Sequence, residues 1–352
     1  MTKYFSKRLL LSIVTLFIIL FVVYTMQAQF GKNPILISEY DSKVFSQSDI
    51  QQKLNEGGFN LPPITRFFNY LGQIFIGNFG ATYGNQIEPV RLPETFNSRL
   101  KWTLLISVPS FVFSSIIGIF LGILSAYKRG KLLDTSVVSV TTIISGLPSY
   151  IIAPIITLLM IQWFNLPVTF QAPDPLRHIG FDITILSVII PILIFTILSI
   201  SRYTLIVRNQ MIAVLTSNQV LIAKAKGLSQ GQIFRKHVFR NASLPLMAAL
   251  IPSYIDLLSG SIILESYFGI PGSASIFFNS AQFGEIDVIM FNVLFFTGLT
   301  LLSKILVDIS FAALDPRIKI SSSNPNSIFK KVKYLFLRKK NFEKGIINGK
   351  TE

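Results

Sequence analysis

The stretch that decides the fold is Val220–Pro245, VLIAKAKGLSQGQIFRKHVFRNASLP. It lies between long apolar segments and carries no acidic residue but five basic ones, Lys224, Lys226, Arg235, Lys236 and Arg240. Helix-forming residues run up to Lys226, and Gly227 stands where a helix needs a left-handed C-terminal residue. Ser229 is a candidate N-cap for a second helix that starts at Gln230. The stretch therefore predicts a helix, a sharp turn and a second helix, held at a membrane surface until Pro245 returns the chain to the lipid.

The composition places the chain in a membrane. Of its 352 residues, 51% are hydrophobic and only 14% are charged, whereas a soluble domain carries about a quarter charged residues. Several apolar runs exceed the roughly 18 residues that a helix needs to cross about 30 Å of hydrocarbon. The net charge of +15 sits in particular loops rather than along one groove, which argues against nucleic acid as a partner. We therefore expect an all-α, multi-pass protein of the lipid bilayer.

Six apolar segments predict six transmembrane helices. Their predicted bounds are Leu9–Ala28, Trp102–Ala126, Thr135–Trp163, Ile183–Ile200, Ala242–Leu264 and Val288–Leu314. A cleavable signal peptide is an alternative for the first segment, but its apolar core exceeds the roughly 7–15 residues of a signal peptide, which favours a retained helix. Short loops rich in Lys and Arg stay on the inner side of a membrane. The distribution of these residues therefore predicts that both termini lie inside.

On this interpretation the chain divides into four regions. They are an N-terminal region with the first helix at 1–28, an extracytoplasmic segment at 29–101, a five-helix core at 102–314 with an inner loop at 206–241, and a basic inner tail at 315–352. Short helices are expected near Ile64–Phe75 and over Ser273–Phe283, both on the outer side. We expect the tail to be solvated and attracted to anionic lipid.

Two spacings within the spans predict specific helix contacts. Small residues fall four apart in the second span, at Ser114, Gly118, Gly122 and Ala126. Such a face allows a neighbouring helix to approach closely, and packing within the chain is favoured over contact between subunits. In the sixth span Lys304 and Asp308 lie four apart, so they would compensate each other if buried.

Residues needed for several kinds of enzyme are missing from the sequence. There is no cysteine, so there is no disulfide framework or thiol nucleophile. The two histidines, His178 and His237, are expected on opposite sides of the membrane and cannot share a metal ion. Gly130-Lys131 is the nearest approach to a phosphate loop, but Ser125 stands where the first glycine of that motif belongs. We expect no enzyme activity, metal or cofactor on this chain, and a packing role for His237 is favoured over proton sensing.

The basic stretch resembles a known family. Ala223–Leu228 (AKAKGL), followed by His237, Arg240-Asn241-Ala242 and Pro245, resembles the signature loop of ABC-importer permeases, with the spacing of the oligopeptide/dipeptide/nickel branch. Segments elsewhere resemble motifs of the same branch: Gly77–Tyr83 with Pro89-Val90, Glu265–Gly272, and Leu314–Ile318. The chain departs from the family pattern at Asn78, Asn218, Leu221 and Ile222.

The resemblance implies a six-helix permease subunit of an ATP-driven importer for oligopeptides or dipeptides in a bacterial cell membrane. Its partners would be a second related permease, two ATPase subunits that bind ATP and Mg, and an extracytoplasmic substrate-binding protein. The loop that couples to the ATPases would include Ala223, Lys224, Ala225, Lys226, Gly227, Leu228, Ser229, His237, Arg240, Asn241 and Pro245. Alternatives are import of nickel or another small solute, and a membrane assembly protein or channel.

Four residues are candidates for lining the translocation pathway: Pro148, Pro252, Asp256 and Glu265. Proline interrupts a helix, and interrupted helices are tolerated in a membrane where they are buried or line a wet cavity. An irregular helix without a role is the alternative for the prolines. Asp256 lies within a span, where an acid is a functional hypothesis; the alternatives are an internal polar pocket or pairing with Lys304.

Overall fold

The computed structural model describes residues 2–33, 51–52, 54–55, 58–82, 90–259 and 262–314, which are mostly helical. We number the helices and strands of these ranges in chain order. They are α1 Thr2–Phe30, α2 Pro63–Phe75, β1 Ala81–Thr82, β2 Val90–Arg91, α3 Leu92–Tyr127, α4 Leu132–Gly146, α5 Ser149–Phe164, α6 Phe181–Leu215, α7 Asn218–Ala225, α8 Gln230–Ile233, α9 Phe239–Ser259, α10 Ile262–Phe268, α11 Ser273–Phe283 and α12 Ile286–Leu314. A 3₁₀ turn lies at Pro175–Arg177 and a π-helical turn at Phe234–Val238.

Five helices of the described ranges are long and apolar enough to cross a membrane, namely α1, α3, α6, α9 and α12. Helices α4 and α5 meet the same criterion only together, and they are bent by 107° relative to each other. The fold therefore has five candidate spans, or six if the bent pair is one broken span. The six predicted segments fall on these helices, except that the fifth runs past the end of α9.

Helices α3 and α6 make the most extensive contact in the described fold. The small residues of α3 face α6 and are buried. A Cβ atom on Gly118 would lie 2.7 Å from Cβ of Tyr203, and one on Gly122 would lie 2.6 Å from Cβ of Val207. Only glycine permits this approach of the two backbones. The prediction that the small residues pack within the chain is confirmed.

The third predicted span, Thr135–Trp163, is two helices rather than one. Helix α4 ends at Gly146, and α5 begins at Ser149 after a sharp bend. Pro148 occupies the N-cap of α5 in an extended conformation, so its missing N–H removes no hydrogen bond within the helix. Pro154 lies inside α5 without ending it. The sequence thus predicted the interruption but not the change of direction.

The fifth predicted span also differs from the structure. Helix α9 runs through Pro252 without a break and ends at Ser259, whereas the prediction placed an interruption at Pro252 and the end at Leu264. Proline is tolerated inside membrane helices when neighbouring groups satisfy the freed backbone. Likewise, α3 begins at Leu92 instead of Trp102, and α6 extends to Leu215.

Short elements cover the end of the bundle opposite the basic stretch. The two helices expected near Ile64–Phe75 and over Ser273–Phe283 are present as α2 and α11. Helix α2 buries Phe67 and Tyr70 against α1 and α12, and β1 pairs antiparallel with β2. Tyr83, Pro89, Asp315–Ile318 and the predicted tail 315–352 lie outside the described residues.

An ion pair joins the first and last spans. Asp308 of α12 pairs with Arg8 of α1, and not with Lys304 on its own helix as the four-residue spacing predicted. The side chain of Arg8 is about two-fifths exposed. Contact between α1 and α12 brings the two charges together, which no spacing within one helix reveals.

Candidate functional site

The basic stretch folds into a helix–turn–helix that we call the knuckle, residues 218–238. Gly227 has φ +73°, the left-handed conformation that favours glycine. The Ser229 hydroxyl accepts a hydrogen bond from the Gln232 N–H (3.4 Å), and the Gln232 side chain accepts one from the Ser229 N–H (3.0 Å). This is a capping box that starts α8. The predicted glycine turn and the predicted N-cap are both confirmed.

One side of the knuckle is packed into the membrane bundle. Its buried residues form a single cluster with the ends of α6 and α9: Val207, Met211, Val220, Ala223, Ile233, Val238, Ala242 and Leu246. Asn241 of α9 donates a hydrogen bond of 2.7 Å to the Gln219 side chain of α7. Because packed cores transmit strain rather than absorb it, a force on the knuckle must act on α6 and α9.

The other side of the knuckle is exposed. Leu221 and Ile222 are each 56% exposed, and Lys224, Ala225 and Lys226 beside them are exposed as well. Leu228 and His237 are half-buried; Arg240 and Pro245 lie in the first two turns of α9. Apolar side chains ringed by charge are characteristic of protein interaction surfaces.

A cavity of about 470 Å³ separates the knuckle from the turn that follows α3. Four basic residues line it, Lys128, Arg129, Lys131 and Lys224, together with apolar side chains such as Ile212 and Val220. None of its lining residues is acidic. The two basic segments that the sequence predicted on the same side of the membrane thus lie together.

A buried ion pair ties this turn to α6. Asp134, only 3% exposed, accepts hydrogen bonds from Nε (2.6 Å) and Nη2 (2.9 Å) of Arg208. The same carboxylate accepts from the Ser125 hydroxyl and from the Gly130 N–H. Such bidentate, charge-assisted bonds are among the strongest in proteins. Asp134 therefore fixes the start of α4, the end of α3 and the C-terminal part of α6 to one another.

A second cavity of about 170 Å³ lies between α6, α9 and the start of α5. We call it the central cavity. Two opposite charges line it, Arg202 of α6 and Asp256 of α9. Four hydroxyl side chains also line it, Ser149, Ser199, Tyr203 and Ser253, and the remaining wall is apolar. The hydroxyl oxygens of Tyr203 and Ser253 lie 3.2 Å apart and join α6 to α9 at this level.

Of the four predicted pathway residues, only Asp256 lines the central cavity. Pro148 and Pro252 do not line it, although the residue after each of them, Ser149 and Ser253, does. The sequence offers no charged partner for Asp256 within one turn of its own helix, and pairing with Lys304 was an alternative. Within the described residues, no ion pair joins Asp256 to Lys304. Arg202, which sequence reasoning missed as a site residue, reaches the cavity from a different helix.

Glu265 has a different environment from the other pathway candidates. Its side chain is 1% exposed and accepts hydrogen bonds from the Thr103 hydroxyl (2.8 Å) and from the N–H groups of Ala274 (3.0 Å) and Ser275 (2.9 Å). These N–H groups belong to the first turn of α11, which has no intrahelical partner for them. Glu265 thus caps α11 within the fold, and Gly272 leaves room for its carboxylate. This geometry indicates a structural role.

A helical membrane bundle with a packed basic knuckle at one end and a charged cavity between its spans has the architecture of a transport permease. The sequence profile of the family described as "Binding-protein-dependent transport system inner membrane component" matches residues 118–320. The chain belongs to this family of inner-membrane ABC-importer permeases, in its oligopeptide and dipeptide branch.

Several relatives of the chain are named as peptide permeases. It is 32% identical to the oligopeptide transport system permease protein OppB of Mycoplasma genitalium over 342 residues, which cover 96% of this chain and 82% of the relative. It is 29% identical to OppB of Haemophilus influenzae over 91% of this chain and all of the relative. It is 27% identical to the dipeptide permease DppB of Lactococcus lactis over the same shares.

Among solved structures, the fold is similar to a chain of the MetNI methionine ABC transporter in inward-facing conformations. The two share 18% sequence identity and superpose with a TM-score of 0.51, over 63% of this chain and 97% of the other. At this identity the likeness concerns the fold alone.

Proposed function

We propose that this chain forms half of the translocation pathway of an ATP-driven importer of oligopeptides or dipeptides and that the knuckle couples this pathway to separate ATPase subunits. The observation that carries the proposal is the two-sided knuckle: one side is buried with the ends of α6 and α9, and the other side is exposed. A partner that moves the exposed side therefore acts on two membrane spans at once. Both spans line the central cavity.

The coupling side of the molecule is the inner side of the membrane. The knuckle and the turn after α3 both carry basic residues and lie together around one cavity, and Lys/Arg-rich short loops favour the inner side. This supports the arrangement with both termini inside and α2 and α11 outside. ATP and Mg belong to the ATPase subunits in this proposal, and an extracytoplasmic binding protein supplies the substrate.

Peptides are the substrate class that the relatives favour. The names OppB and DppB refer to oligopeptide and dipeptide transport. A second, related permease would supply the other half of the pathway. Transport of a labelled peptide by the assembled complex in vesicles, dependent on ATP and on the binding protein, tests this assignment. Transport of nickel without transport of peptides would replace the substrate class, and solute movement by the purified chain alone would contradict ATPase coupling.

Co-purification tests the coupling surface. We expect that Leu221→Ala combined with Ile222→Ala weakens retention of the ATPase subunits roughly tenfold, because a few apolar anchors carry most of the binding energy of an interface. Leu302→Ala with Ile116→Ala is the matched control, since Leu302 and Ile116 are similarly exposed (55% and 63%) but lie on the spans α12 and α3. Equal loss of the ATPases in both double variants would contradict the assignment.

Gly227 allows a second test of the same surface. A tryptophan at this position adds bulk beside the exposed face as well as backbone strain, whereas Gly227→Ala adds mainly the strain of φ +73°. We expect Gly227→Trp to abolish association with the ATPases and Gly227→Ala to retain most of it. If both variants assemble normally, the turn lies outside the docking surface.

A further inference from the structure

Two opposite charges in the central cavity lack the partners that charges in membrane helices usually have. Arg202 and Asp256 are both exposed in the single chain and line the same cavity. Among the described residues, neither side chain takes part in an ion pair. Each is therefore available to a group that does not belong to this chain.

The surroundings of these charges are polar. Both side chains line a cavity whose wall also carries the hydroxyl groups of Ser149, Ser199, Tyr203 and Ser253. A charge on a lipid-facing surface is costly, so charged residues of membrane bundles usually face the interior or a water-filled cavity. Two opposite charges on α6 and α9 that line one cavity therefore indicate a polar passage.

We propose that Arg202 and Asp256 form a subsite for the main-chain ends of short zwitterionic peptides, in which Arg202 binds the α-carboxylate and Asp256 binds the α-ammonium group. This inference rests on the proposed function as a peptide permease. It adds Arg202 to the pathway and assigns a chemical partner to each of the two charges.

The chemistry of the substrate class favours the ends of the peptide over its side chains. Peptides of different sequence share only their backbone and their two charged termini. A guanidinium group binds a carboxylate with two parallel hydrogen bonds, and a carboxylate accepts from an ammonium group. The cavity volume of about 170 Å³ suits a short peptide rather than a long chain.

The hydroxyl groups of the cavity support this assignment. Tyr203 and Ser253 are buried and bridge α6 to α9, so they fix the two helices that carry the charges. Ser149 and Ser199 add small polar groups to the wall. Hydroxyl groups both donate and accept hydrogen bonds, so they suit the peptide amides that follow either terminus.

The experiment compares free and blocked peptides with the complete importer in vesicles. ATP-dependent uptake of a free tripeptide, its N-acetylated form and its C-amidated form is measured for the wild type, Asp256→Asn and Arg202→Gln. The same binding protein is used throughout, so its own preferences cancel when each variant is compared with the wild type. We expect Asp256→Asn to reduce the preference for a free over an acetylated amino terminus about tenfold, and Arg202→Gln to do the same for a free over an amidated carboxyl terminus.

The conservative variants Asp256→Glu and Arg202→Lys should restore most of each preference. Asp174→Asn and Arg177→Gln are matched controls, because they remove the same charges from an ion pair in the loop before α6, outside the central cavity. They should leave both preferences unchanged. Co-purification with the ATPase subunits establishes that each variant assembles.

Two results would overturn the subsite. One is an equal change in uptake of free, acetylated and amidated peptides, which would make the two charges a gate or a packing feature. The other is unchanged uptake of all three. Either result is distinct from failure of the proposed function, in which the assembled wild-type complex would transport no peptide at all.

Discussion

Helix α6 carries two arginines, six residues apart, that the fold treats in opposite ways. Arg208 is held by Asp134 with two hydrogen bonds, and that carboxylate is 3% exposed. Arg202 lines a cavity opposite Asp256 and is in no ion pair among the described residues. In this membrane bundle, a charge therefore has a structural role where the chain supplies its partner. A charge without a partner in the chain is available for function.

The largest expected effect on stability is at the ion pair between Asp134 and Arg208. Asp134→Asn removes the charge but keeps the shape, so Arg208 is left largely buried without a counter-ion. We expect a loss of roughly 3 kcal/mol in the free energy of unfolding, at the lower end of values for breaking a buried pair because Arg208 is about one-fifth exposed. Thermal unfolding of the purified complex in detergent measures it.

A double variant sharpens this prediction. Asp134→Leu with Arg208→Met replaces the pair by apolar side chains, which is often nearly neutral where removal of one partner is not. We expect the double variant to be more stable than Asp134→Asn. If it is less stable, the pair contributes specific geometry that apolar packing cannot replace.

The next largest effect on stability is expected at Glu265, because its carboxylate also accepts hydrogen bonds from donors in this chain. Glu265→Ala leaves the N–H groups of Ala274 and Ser275 without an acceptor, so we expect a loss of roughly 2 kcal/mol in the free energy of unfolding. Glu265→Gln retains an acceptor and should lose less. Unchanged stability together with reduced peptide uptake would return Glu265 to the pathway, where sequence reasoning placed it.

The contrast between these sites also explains what the sequence could predict. Local signals were sufficient for the knuckle, because Gly227 and Ser229 each determine the conformation of their own turn. The apolar runs predicted the spans, and the spacing of small residues predicted the close contact of α3. Each of these features depends on residues of a single turn or a single helix.

Charge pairing depended on contacts that no local pattern encodes. Asp134 and Arg208 are 74 positions apart, and Arg8 and Asp308 lie on the first and last spans. The bend between α4 and α5 likewise follows from packing, since Pro148 predicts an interruption but not its angle. Arg202 was missed for the same reason: in the sequence it is one of two arginines between the fourth predicted span and the knuckle, and only the fold places it in the same cavity as Asp256.

A smaller effect on stability is expected when the ion pair between Arg8 and Asp308 is removed. Its side chains are 43% and 21% exposed, and pairs of this exposure contribute about 0–1 kcal/mol. Arg8→Gln should therefore lower the free energy of unfolding by less than about 1 kcal/mol, with a larger loss at low than at high salt because exposed pairs are screened. A loss comparable to that of Asp134→Asn would mean that this end of α1 is more buried in the assembled importer.

The smallest effect on stability is expected at the unpaired charges. Asp256→Asn and Arg202→Gln remove no ion pair within the described chain, so we expect the free energy of unfolding to change by less than about 0.5 kcal/mol, as for substitutions away from structural contacts. Thermal unfolding of the assembled complex, measured beside Asp134→Asn, provides the comparison. A substantial loss of stability in Asp256→Asn would mean that a partner subunit supplies a counter-charge, and the cavity would then be a subunit contact. Retained stability together with an altered peptide preference would show that the two arginines of α6 have different roles. Arg208 would then stabilise the bundle, and Arg202 would bind the substrate.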